Sequence, residues 1–93
     1  MGAAEPRSGV RYELFLVSQE AGRATYRAEV HSAAGPLGAV VEIDRDAATL
    51  SACDDAMDPA HRAQLVALAR ALGRRDESAW PRRVNRWRSP GVR

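Results

Sequence analysis

The chain has 93 residues, of which 45% are hydrophobic and only 5% aromatic, with fourteen arginines, no lysine, twelve acids and a formal net charge of +2. That leaves room for one small core resting on Leu, Val and Ala. No stretch approaches the roughly 20 apolar residues of a membrane span, and the lone Cys53 excludes an internal disulfide or a cysteine metal cluster.

The charge is uneven. Residues 1–73 carry seven Arg against ten acids, net −3, whereas residues 74–93 carry seven Arg against two acids, net +5. Arginine without lysine, alongside abundant alanine, fits the codon bias of a GC-rich bacterial genome. With no apolar leader and one cysteine, the expected location is the cytoplasm.

Residues 1–9 are small, polar and rich in Gly and Pro, and are expected to be poorly ordered. From Val10 to Ser18 the pattern alternates, Val10, Tyr12, Leu14 and Leu16 on one face and Arg11, Glu13, Phe15 and Val17 on the other. This predicts a strand. A loop at Gln19–Arg23 leads to a second alternating run, Ala24–His31, with Tyr26, Ala28 and Val30 inward and Thr25, Arg27, Glu29 and His31 outward. After the turn Ala33-Ala34-Gly35-Pro36, Leu37–Asp44 predicts a third strand, and Thr49–Cys53 a short fourth.

Asp58-Pro59 then starts the most regular stretch of the chain. Asp58 suits an N-cap, Pro59 the first helical position, and Leu65, Leu68 and Leu72 recur at helical spacing until Gly73. Gly73 is the expected left-handed residue that ends the helix. Strands joined by turns this short must be antiparallel neighbours. The expected fold class is therefore α+β: a three- to four-stranded antiparallel meander at residues 10–75 with one amphipathic helix on its inward face.

Residues 76–93 form a separate basic tail, partly packed on that body. Trp80, Val84 and Trp87 lie four and three apart, which predicts a short helix or arm starting at Pro81, with Arg82, Arg83, Arg86 and Arg88 fanned over the rest. Its two tryptophans fit either of two roles: covering apolar surface, or stacking on a partner while the guanidinium groups bind phosphate.

No catalytic constellation emerges. His61 lies near Asp54, Asp55 and Asp58, but three or four converging ligands are missing. The serines sit in no nucleophile turn, and no phosphate-cradling glycine loop is present. Arg11, Glu13, Arg27, Glu29 and Glu42 read as a solvated charge ladder. Phe15, Val17 and Val40, by contrast, are apolar where an open sheet face should be polar. The expectation is a non-enzymatic module without cofactor, metal, membrane or small-molecule substrate. It would bind a protein partner or a second copy through Phe15, Val17, Val40, Arg82, Arg83, Arg86, Trp87 and Arg88. Nucleic-acid binding through the arginines is the alternative, and a small metal-binding protein or enzyme the remote one.

Overall fold

A computed structural model describes residues 9–33, 35–45 and 47–88. The expectation of poor order for residues 1–8 lies outside the described residues, as do residues 89–93 of the expected tail. Five strands form one antiparallel sheet: β1 (Val10–Glu20), β2 (Arg23–Ser32), β3 (Gly35–Asp44), β4 (Ala47–Cys53) and β5 (Arg83–Arg88), in the order β4-β3-β2-β1-β5. One helix, α1 (Pro59–Gly73), packs against β3 and β4.

The first four strands follow from their alternation. Their inward residues Tyr12, Leu14, Tyr26, Ala28, Val30, Ala39, Val41 and Ile43 are all buried. Ala21 and Gly22 close the first hairpin between the paired Glu20 and Arg23, shorter than the five-residue loop the composition predicts. Gly22 takes φ 73°, a backbone state open to glycine at little cost. Near that end β1 bulges: Leu16 pairs with Tyr26 and Ser18 with Thr25, leaving Val17 without a partner.

The helix meets its expected stripe. Leu65, Ala69 and Leu72 are buried on the sheet, and Leu68 packs beside them. At its start the Asp58 carboxylate accepts the Ala60 N–H at 2.9 Å, ahead of Pro59. We expect Asp58→Ala to lower stability by about 1 kcal/mol, read as a shift in urea midpoint with unchanged slope. The end differs from expectation. Gly73 is the last helical residue, and Arg74 closes the helix at φ −79°, with the Arg75 N–H bonding the Leu72 carbonyl at 3.0 Å. A right-handed turn continues the chain there, so the glycine's freedom goes unused.

The tail is where the fold departs most from the sequence reading. Residues 83–88 are a strand, not a helix or arm, paired along β1 from Phe15–Arg83 to Val10–Arg88. Two forces decide it. The outer edge of β1 offers a full row of backbone hydrogen bonds, and Val84 can drop beside Leu14 into the core, 6% exposed. A helix would satisfy neither. Because β4 and β5 point the same way at opposite edges, the chain between them must cross three strands. Residues 54–82 make that crossing. Trp80, buried at 7% exposure, joins the core along it, and the Tyr26 hydroxyl donates to the Pro81 carbonyl at 2.6 Å. Burial raises the pKa of this hydroxyl above its usual value, while Arg75 pulls weakly the other way.

Candidate functional site

On the sheet face away from α1, the strand register sets side chains from β1, β2 and β5 side by side. Glu13 lies opposite Glu29 on one flank and Asn85 on the other; Arg11 opposite His31 and Trp87; Phe15 opposite Arg27 and Arg83. Two glutamates facing each other across a ladder repel, so this register survives only if something neutralises them.

Three groups do. Arg83 donates to Glu13 Oε2 at 2.7 Å, and Arg27 to Glu29 Oε2 at 2.9 Å. Between the two carboxylates stands His31, its Nε2 3.1 Å from Oε1 of each. Ionised carboxylates only accept, so Nε2 carries a proton shared between them. Arg11 adds a weaker contact to Glu13 at 3.9 Å. The outcome is a glutamate only 4% exposed on the face that α1 does not cover. The hydrogen bond from Arg83 holds the Glu13 carboxyl below its usual pKa; burial opposes that, and Arg11 and His31 reinforce it.

The guanidinium groups serve twice. Arg27 and Arg83 lie over the Phe15 ring from either side, at 4.6 and 5.5 Å from its centroid, and Arg11 lies over Trp87 at 5.9 Å. Such contacts contribute about 0.5–1 kcal/mol each at exposed sites and hold the rings in fixed orientation. Beside them on β3, half-buried Val40 opens onto a shallow groove with Gly38, Ala52 and Cys53.

The expected binding residues thus separate. Phe15, Val40, Arg83 and Trp87 share the outer face with the Glu13 cluster, and Trp87 is 58% exposed there. Val17 is displayed by the bulge at 63% exposure. Arg82 precedes β5, and Arg86 projects to the opposite side, in register with Tyr12. Arg88 ends the strand, and its side chain lies outside the described residues. The arginines therefore divide between two faces of a strand instead of fanning around a helix. The tryptophans divide as well, Trp80 into the core and Trp87 to solvent.

The Glu13–Glu29–His31 cluster is what sequence reasoning missed, having read those acids as a solvated ladder. Its carboxylate and imidazole atoms lie within 4.8 Å of one another, a spacing a metal ion could use. Its chemistry argues otherwise. Arg27 and Arg83 already neutralise both carboxylates, and Arg11 leans in, so a divalent cation would meet three positive groups. The arrangement suits a rigid ion-pair network. His61, the other histidine, faces the Tyr12 hydroxyl through Nδ1 at 3.0 Å.

Comparison with protein-family models, with curated proteins and with solved structures gave no match for this chain. Among the described residues, no helix is long and apolar enough to cross a membrane.

Proposed function

We propose that the chain is a non-enzymatic binding module whose partner is a protein, engaged on the outer face of the sheet. The observation that carries this reading is the ordered mixture on that face, with Trp87 exposed, Phe15 and Val40 half covered and charges locked in a network around Glu13, together with Val17 exposed at the β1 bulge. Exposed aromatic and aliphatic groups framed by ordered arginines are what protein interfaces favour at their centres. A face already organised loses little side-chain freedom on binding.

The test is to identify partners by cross-linking, then titrate the purified partner against wild type and a Val17→Ser/Val40→Ser double variant. Affinity is expected to fall by about tenfold or more with the thermal midpoint nearly unchanged. Equal affinity for both proteins overturns the reading. Light scattering on the isolated chain separates a second copy from a foreign partner.

The exposure of Trp87 beside Arg11 favours one competing reading, a single-stranded nucleic acid stacked on the indole. It requires affinity that falls steeply with salt and a shallower slope in an Arg11→Ala variant. Flat binding across salt removes it.

A further inference from the structure

The outer edge of β5 is a second surface, distinct from the sheet face. The Leu16 N–H donates to the Arg82 carbonyl at 2.8 Å, and the residues in phase with Arg82, namely Val84 and Arg86, likewise turn their backbones toward β1. The N–H and C=O groups of Arg83, Asn85 and Trp87 therefore point away from the sheet, where the Asn85 carbonyl accepts from the exposed Arg86 guanidinium at 3.2 Å, a contact that an added strand would displace. No strand lies beyond them among the described residues. Such a row is a template for an added strand.

Charge decides which strand. Residues 82–88 contain no acid, and among the described residues the exposed Arg82 and Arg86 have no carboxylate partner. A second copy offering its own β5 would set arginine against arginine. Its other edge, β4, has no charged residue among the described Ala47–Cys53, so it brings no complement. Nucleic acid has no alternating donors and acceptors to fill the backbone row.

We propose that β5 takes up an extended acidic segment of a partner protein as a further strand of the sheet. Carboxylates at alternate positions lie beside Arg82 and Arg86, and an apolar residue lies beside Trp87. This rests on the protein-binding reading above and names the partner's chemistry and its mode of attachment.

The probe is a synthetic octapeptide alternating Glu and Val, titrated into the full chain at low and high salt and followed by fluorescence. Trp80 is buried, so the change reports Trp87. Controls are the same peptide with Lys for Glu, two forms methylated on alternate backbone nitrogens in opposite phase, and an oligothymidylate. The acidic peptide is expected to bind and to weaken with salt. It should lose about tenfold on Arg82→Ser/Arg86→Ser, whose side chains are exposed and whose fold is checked by circular dichroism. One methylation phase should abolish binding and the other leave it nearly intact. Equal binding by both methylated forms, by the Lys peptide, or by the oligothymidylate alone overturns the proposal, as does no binding of the acidic peptide at low salt. If the edge fails while Val17→Ser/Val40→Ser still loses the cross-linked partner, the face reading stands without it.

Discussion

Trp80→Ala is expected to cost about 3–5 kcal/mol of folding stability, whereas Trp87→Ala should cost no more than about 1 kcal/mol. The two indoles are seven residues apart and differ almost wholly in environment. Trp80 is 7% exposed and sits one residue before Pro81, whose carbonyl anchors Tyr26; Trp87 is 58% exposed. Removing the first leaves a void where the crossing segment meets the sheet, and loosens the chain that delivers β5 to β1. Domains of this size are stable by only about 5–15 kcal/mol, so the loss is a large share of the total. Urea denaturation followed by far-UV circular dichroism measures both variants. Similar midpoints for the two would show that the crossing segment is not part of the core.

Glu13→Gln is expected to cost about 1–2 kcal/mol at pH 7, discounted for the solvent around Arg83. Its effect should shrink in acid. The hydrogen bond from Arg83 keeps the folded carboxyl below its ordinary value of 4.5, so the unfolded chain takes up a proton first as pH falls. The stabilisation is therefore complete above about pH 5, and is lost as pH drops through 4.5 toward the folded value. Wild type and variant should differ clearly in urea midpoint at pH 7 and converge as the pH falls below the lowered value of the folded carboxyl. A gap that stays constant with pH would mean that the carboxylate's charge is not what stabilises the network.

The leucine ridge of α1 and the alternation of β1 to β3 were readable because each repeats a single period over about eight residues, and packing agreed with both. β5 was not. Trp80, Val84 and Trp87 satisfy a helical spacing, while the strand pattern has only Val84 to mark its inward face. The deciding factor was the unpaired edge of β1, seventy residues earlier, which no local pattern records. The Glu13 cluster was hidden for the same reason. Glu13 becomes buried because β5 brings Arg83 against it, so misplacing the tail also misreads the acid as solvated. Gly73 shows the opposite error, a strong local signal that the chain leaves unused.

The hydrogen bond between Arg83 and Glu13 joins residues seventy positions apart. During synthesis, β1 emerges from the ribosome early and pairs with β2, but its other flank stays bare until β5 has been made. Contacts of such long range form slowly, and a bare flank invites wrong pairing in the meantime. A chain cut short before Arg83 would keep that flank permanently, with Glu13 deprived of its shortest ion pair, and would be more prone to aggregate than the whole chain.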